Sequence, residues 1–261
     1  MKAMRSNKAA GAILLIDAGN SRIKAAVLKN DTLGKVFAFY SLMDFFDFFA
    51  RRHFYLAIFS SVLSDKESQT LCNGLRDFCE TLVSVRTLSK GMIRSKYDLK
   101  KLGEDRLAKL IYVRFKTLSM QKKICVLVDA GTALTVDFFS QPNIFLGGFI
   151  AGGFSLEYGA LSEKTKKLPL VESSSKRLFR LPKNTEEAIH QGVLEIKALG
   201  VRTLIEKILQ KKQIPSSQVS VLLTGGEANL LAPYFPNALV QENLVLQGLQ
   251  TLQQQLFRTA S

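Results

Sequence analysis

Several short segments of the chain carry residue types suited to handling phosphate. In Asp17-Ala18-Gly19-Asn20-Ser21, and again in Asp129-Ala130-Gly131-Thr132, a carboxylate precedes a turn of small residues that ends in a polar side chain. Backbone N–H groups at such a tip can hold phosphate oxygens, and the carboxylate can hold a phosphate-bound cation. Thr224-Gly225-Gly226-Glu227-Ala228 is a glycine-paired turn able to take a nucleotide's sugar or base edge. Gly103-Glu104-Asp105-Arg106 sets two carboxylates beside a guanidinium. Phosphoryl transfer is mostly positioning and charge neutralisation, with one carboxylate accepting the acceptor's proton. The chain has no G-x-x-x-x-G-K-[ST] P-loop and no protein-kinase signature.

The elements that must position these residues can be read from the flanks. Apolar runs at Ile13–Ile16 and Ile124–Val128 lead into the two Asp-x-Gly turns, and alternating or apolar sequence follows each one. Each is therefore a strand-turn-strand hairpin. Between them we expect strands over 35–40, 55–62 and 82–88, and a helix over 42–52 capped by Ser41. A helix over 67–79 should open with a capping box at Ser64 and Glu67. A long loop over 89–102 leads to a helix starting at Glu104, where acidic residues also complement the helix dipole. After the second hairpin come a strand over 144–150, a helix from Phe154 and a serine-rich basic stretch over 172–183, expected to be mobile. A long helix capped by Asn184, a strand over 219–223 and a closing helix over 244–257 complete the chain. Because each half begins with the same hairpin, the expected architecture is α/β: two similar domains, 1–120 and 121–261, facing each other across a central cleft. The duplicated turn with the late glycine pair points to the actin-like, sugar-kinase class of nucleotide-binding folds, and so to an ATP-dependent phosphotransferase.

Composition narrows the partners. The formal net charge is +14, which permits nucleic acid, an anionic membrane surface or small anionic substrates. The lysines fall in short separated runs, with no helix-turn-helix pattern or clustered basic helix, and this argues against nucleic acid. No stretch approaches the ~18 apolar residues of a membrane span. With 3 cysteines lacking C-x-x-C spacing and only 2 histidines, no zinc cluster forms at usual spacings, and a reducing, cytoplasmic setting is expected. Residues 1–10 read as a basic leader rather than a signal peptide.

The ordered motifs resemble the type III pantothenate kinases, also called the Bvg accessory factor family. The segments that carry the likeness are Asp17 to Lys24, Gly103 to Arg106, Asp129 to Thr135, Gly147 to Ile150, Asn184 to Ala188 and Thr224 to Ala228. The resemblance implies a dimeric actin-like (ribonuclease H-like) fold and transfer of the ATP γ-phosphate to pantothenate, the first step of coenzyme A synthesis. By matching position, Asp17, Ala18, Gly19, Asn20, Ser21, Arg22, Ile23 and Lys24 would cradle the phosphates of Mg²⁺-bound ATP. Thr132 would touch the nucleotide, and Asp129 would hold a monovalent cation, potassium or ammonium. Tyr97, Gly103, Glu104, Asp105 and Arg106 would bind pantothenate, with Asp105 as the base and Arg106 facing the substrate carboxylate. Thr185 would close over pantothenate from the partner subunit of a homodimer. If Glu104 and Asp105 both face the substrate, the Asp105 pKa should rise; if Glu104 turns away, it should not. Gly152-Gly153 stands where the family has Pro-Gly, so a looser turn is expected there. The rival readings are a transcriptional accessory role within the same family and another small-molecule kinase of the same fold.

Overall fold

The structure is a computed structural model describing residues 11–116, 122–176 and 180–258. The basic leader and residues 177–179 of the serine-rich stretch lie outside the described residues. The chain forms two units, 1–116 with 244–261, and 117–243.

In the first unit, β1 (Ile13–Ala18) and β2 (Ile23–Lys29) form the expected hairpin, with Asp17 opposite Lys24 and Ala18 opposite Ile23. Two short strands, β3 (Thr32–Leu33) and β4 (Phe37–Phe39), add to β2. Helix α1 (Leu42–Phe49) follows, then β5 (Phe54–Ser61) parallel to β1, α2 (Asp65–Leu75) and β6 (Cys79–Ser84) parallel to β5. Next come α3 (Val85–Leu88), β7 (Arg94–Ser95) and α4 (Glu104–Lys116). The sheet order is β3-β2-β1-β5-β6.

The second unit repeats this plan. β8 (Ile124–Ala130) and β9 (Ala133–Ser140) are the second hairpin, and β10 (Ile144–Gly152) adds antiparallel to β9. Helices α5 (Phe154–Lys164) and α6 (Thr185–Lys211) follow, then β11 (Val219–Thr224) parallel to β8, α7 (Ala228–Leu231) and β12 (Leu239–Val240) parallel to β11. Its strands run β12-β11-β8-β9-β10, so each sheet has a hairpin at its middle, antiparallel strands on one side and parallel strands on the other.

The capping signals act as read. Ser41 Oγ accepts from Asp44 N at 3.1 Å, and the Ser64–Glu67 capping box is closed from both sides. Asn184 Oδ1 accepts from Glu187 N at 2.8 Å. Three expected elements end early. The helices expected to reach Arg52 and Cys79 stop at Phe49 and Leu75. The strand expected over 82–88 stops at Ser84, whose hydroxyl accepts from Thr87 N and opens α3 instead. The 172–183 stretch is tethered where it is described: the Lys176 carbonyl accepts from Gln191 Nε2 at 2.9 Å, and Arg180 pairs with Glu187 through both guanidinium nitrogens.

The expected boundary after residue 120 assigned the closing helix to the second half. That helix, α8 (Leu244–Arg258), belongs to the first unit. It packs on α4, β1 and β5. A Cβ on Gly248 would overlap the Ala108 carbonyl, so glycine is what lets α8 lie this close to α4. Gln250 and Gln253 donate to the Asp31 carbonyl and carboxylate at 2.7 and 2.8 Å. In β1, Leu14, Ile16 and Ala18 pack into a phenylalanine-rich core with Phe45, Phe49, Phe54 and Phe78. Alternation sends Leu15 and Asp17 to the other face. The second core lies between β8, β9 and α6.

Candidate active site

The predicted residues divide between the units. In the first, the turn after β1 is closed by Gly19 N donating to Arg22 O at 3.2 Å, and Asn20, Ser21 and Arg22 are exposed at the tip. Lys24 is half-buried on β2, opposite Asp17. Asp17 is also in register with Ser60 at the carboxyl end of β5, and the Ser60 hydroxyl is fully buried with no partner atom. Next to it, Ser61 N donates to Glu104 Oε2 at 3.1 Å. Ala18 O, from the hairpin, accepts from Val62 N at 3.0 Å. These two bonds bring the start of α4, and with it Gly103 to Arg106, to the edge of the sheet that carries the Asp17 turn. Ligands of open α/β sheets bind at the carboxyl ends of parallel strands.

The two carboxylates at the start of α4 have different tasks. Glu104 turns toward Ser61 and Arg86, with Arg86 Nε 3.4 Å from its Oε1. Arg86 also donates to the Leu99 and Leu102 carbonyls at 2.8 and 2.6 Å, so it ties the preceding loop to the same carboxylate. Burial pushes the Glu104 pKa up, against the opposing pull of the Ser61 amide and Arg86. Asp105 points elsewhere, and its Oδ2 accepts from Lys109 Nζ at 2.9 Å. Burial alone would raise the Asp105 pKa; the Lys109 ammonium, the Arg106 amide and the Arg106 guanidinium outweigh it and hold the carboxyl below its usual range. Of the two arrangements open from sequence, the structure has Glu104 turned away. Arg106 is 5% exposed, whereas Tyr97 is well exposed in the loop, its N–H on Ser95 Oγ.

In the second unit, three segments converge on the β8–β9 turn. Asp129, at the end of β8, is in register with Thr135 on β9 and Thr224 on β11. Gly225, with φ of +96°, lies where a Cβ would overlap both Ala130 and the Asp129 carboxylate. Glu227 N donates to Ala130 O at 3.0 Å. The Glu227 carboxylate accepts from Ser155 Oγ at 2.6 Å, joining this turn to α5. Gly153 N donates to Thr132 O at 2.9 Å, and Lys197 Nζ donates to the Gly152 carbonyl at 2.8 Å. The Gly152-Gly153 turn is therefore tied at both residues rather than loosened. Thr132 is exposed at the hairpin tip, and Thr185 is exposed in the first turn of α6. The Thr135 hydroxyl is buried and has no partner atom.

Sequence reasoning passed over Lys109, Arg86, Thr135 and the fastening role of Glu227. A signal existed for Lys109: a lysine inside the apolar run Leu107 to Ile111, four residues after Asp105, the spacing of a helical ion pair. For Glu227 the partner comes from a distant segment, and local spacing carries no trace of it.

Residues 13–210 match the family model of type III pantothenate kinase. A type III pantothenate kinase of Porphyromonas gingivalis is 32% identical over 250 residues, covering 92% of this chain and 96% of that one. One from Flavobacterium psychrophilum is 29% identical, covering 93% and 98%. Among solved structures, a Campylobacter jejuni protein described as a Baf family transcriptional activator superposes with a TM-score of 0.61 at 23% identity, over 93% of this chain and 98% of that one. MreB 5 of Spiroplasma citri, solved with AMPPNP, gives 0.53 at 11% identity, over 96% and 98%. These likenesses establish the actin-like fold that the twin sheets suggested. Since the matched stretch runs from the first hairpin almost to the end of α6, taking in Asp105 and Asp129 on the way, the chain belongs to the type III pantothenate kinase family.

Proposed function

We propose that this kinase transfers the γ-phosphoryl group of ATP to the primary hydroxyl of pantothenate, giving 4'-phosphopantothenate and ADP, the first step of coenzyme A synthesis. The observation that carries this reading is the carboxylate of Asp105, ionised, held by Lys109 and set at the sheet edge beside the Asp17 turn. As the hydroxyl oxygen bonds to the γ-phosphorus, its proton passes to Asp105. The bond from the γ-phosphorus to its bridging oxygen breaks, and ADP leaves with the electron pair. Because the transition state is loose, the proton moves late, and a carboxylate of low basicity suffices. The N–H groups at the tip of this turn, Asn20 to Arg22, and Lys24 receive phosphate oxygens, with Mg²⁺ arriving on ATP. Arg106 receives the pantothenate carboxylate and Tyr97 contacts the same substrate. Glu104 supports the pocket from behind by fixing Ser61.

Asp129 fits a monovalent cation. Its carboxylate stands opposite the unpartnered hydroxyl of Thr135 and beside Thr224, so neutral oxygens adjoin one negative charge. Among the described residues, no group of three or more His, Cys, Asp or Glu side chains could hold a metal. A potassium or ammonium ion at Asp129 would balance the charge of its carboxylate. We also propose a homodimer in cytoplasm. Leu156 on α5 and Ile196 and Leu199 on α6 are exposed apolar side chains, and Lys197 joins their elements through Glu157 and the Gly152 carbonyl. A grouping of this kind marks an interaction surface. Thr185 would then reach the neighbour's pantothenate. Among the described residues no helix is long and apolar enough to cross a membrane.

The test is ATP consumption by purified protein offered pantothenate, N-acetylglucosamine, glucose or acetate, with the phosphorylated product identified by mass. Turnover with pantothenate well above the others is expected; preference for another acceptor would overturn the assignment.

A further inference from the structure

Lys109 is 1% exposed, in the middle of a helix whose neighbouring positions Leu107, Ala108, Leu110 and Ile111 are buried and apolar. An apolar side chain would pack there without cost, whereas a buried ammonium must be compensated by an anion. Asp105, four residues earlier and 2.9 Å away, is an anion that compensates it. The other carboxylate oxygen, Oδ1, lies over Gly103, where a Cβ would stand 2.6 Å from it; glycine leaves that oxygen room. Lys109 thus holds Oδ2 directly, and the Arg106 amide also bonds this carboxylate.

We infer that Lys109 is a positioning residue for the phosphoryl transfer, clamping Asp105 Oδ2 so that Oδ1 faces the acceptor hydroxyl. This rests on the reading of Asp105 as the base. During the step Lys109 keeps its proton; the hydroxyl O–H bond breaks, that proton goes to Oδ1, and it leaves to solvent after product departs. The charged surroundings of Asp105 are few. On its own helix they are Lys109, Arg106 and the adjacent Glu104, which is turned to Ser61 and Arg86. Of the elements packed on α4 in this unit, β5 carries no charged side chain, and neither does α8 as far as Phe257. Arg86 of α3 is occupied by Glu104 and two carbonyls. Asp17, on the strand next to β5, is a further carboxylate on this face of the sheet.

The experiment follows kcat and kcat/KM for pantothenate against pH in wild type, Lys109→Met, Lys109→Arg and Asp105→Asn, with ATP affinity and thermal midpoint alongside. Asp105 is held below its usual range by Lys109, so wild-type kcat/KM should stay flat down through the ordinary carboxylate range. Lys109→Met leaves burial unopposed by that charge, so its acidic limb should move up. Its kcat should fall roughly 10- to 100-fold from lost orientation, with ATP affinity kept; Lys109→Arg should bring the limb back. A Lys109→Met enzyme with wild-type kcat and limb, while Asp105→Asn is inactive, overturns the role of Lys109 and spares the base. An active Asp105→Asn overturns the base itself. Should Lys109→Met fail to fold, carbon NMR titration of the Asp105 carboxyl in wild type still decides. A midpoint below the ordinary range supports the clamp; one at or above it overturns the clamp.

Discussion

Gly152 and Gly153 are neighbours whose replacement by alanine should have opposite results. Both have backbone angles open to any residue, and Gly153 sits at φ −69° and ψ 176°, so space alone decides. A Cβ on Gly152 would meet Leu156 Cδ2 at 3.6 Å, an ordinary contact. A Cβ on Gly153 would overlap the Gly131 carbonyl oxygen and stand 2.7 Å from that of Thr132, both backbone atoms of the β8–β9 turn. Relief requires that turn to move, which also strains the bond from Gly153 N to Thr132 O. Overpacking costs about 1–3 kcal/mol and the weakened hydrogen bond about 1 kcal/mol, so Gly153→Ala should lose about 2–4 kcal/mol. At roughly 2–4 °C per kcal/mol the thermal midpoint should fall about 4–16 °C. Gly152→Ala should be neutral or gain about 0.4–1 kcal/mol by restricting the unfolded chain. The assay is thermal unfolding of both variants with ATP affinity measured alongside; affinity should drop for Gly153→Ala alone, since Thr132 moves with the turn. Equal midpoints in the two variants would refute the argument that the β8–β9 turn is built against Gly153.

Glu187 accepts from Arg180 and Lys183 N, and with Arg180 as the leading cause its pKa is lowered to about 2. For a carboxyl depressed on folding, the stabilisation is present above the unfolded value and lost as pH falls through the folded one. The tie between residue 180 and α6 should therefore persist through the ordinary carboxylate range and release only near pH 2; a carbon NMR midpoint for Glu187 in the ordinary range would contradict it. Ile196, 76% exposed, should be covered in a homodimer. Ile196→Glu should give a sedimenting monomer of reduced activity, and a fully active wild-type monomer would remove the dimer proposal. Wild-type activity should be low in sodium and rise with potassium or ammonium, whereas Asp129→Ala should flatten that response; equal wild-type rates in all these cations would exclude the cation role.

What the sequence made legible follows from the range of the forces involved. The two hairpins and the caps at Ser41, Ser64 and Asn184 are set by neighbours within a few residues, and they stand where they were expected. The division of labour between Glu104 and Asp105 was visible only as two alternatives, because it depends on Ser61 and Arg86, brought in by β5 and α3. The return of α8 to the first unit left no local mark: its apolar face could cover either sheet, and the choice rests on Gly248 against Ala108 and on Asp31. Lys109 was overlooked because a lysine in a helix is usually solvated. The glycine-rich turns read as room for a ligand, yet at Gly153 and Gly225 that room is filled by the protein's own backbone and by Asp129.

Asp105 is proposed to take the proton of the acceptor hydroxyl. The direct measurement is kcat for 4'-phosphopantothenate formation by Asp105→Asn beside wild type, with ATP binding and thermal midpoint confirming an intact fold. Loss of a general base predicts a fall of roughly 10²–10⁴-fold in kcat with ATP binding kept. If Asp105 served only to start α4, the variant would show a modest stability loss and near-normal turnover, and that result would contradict the account.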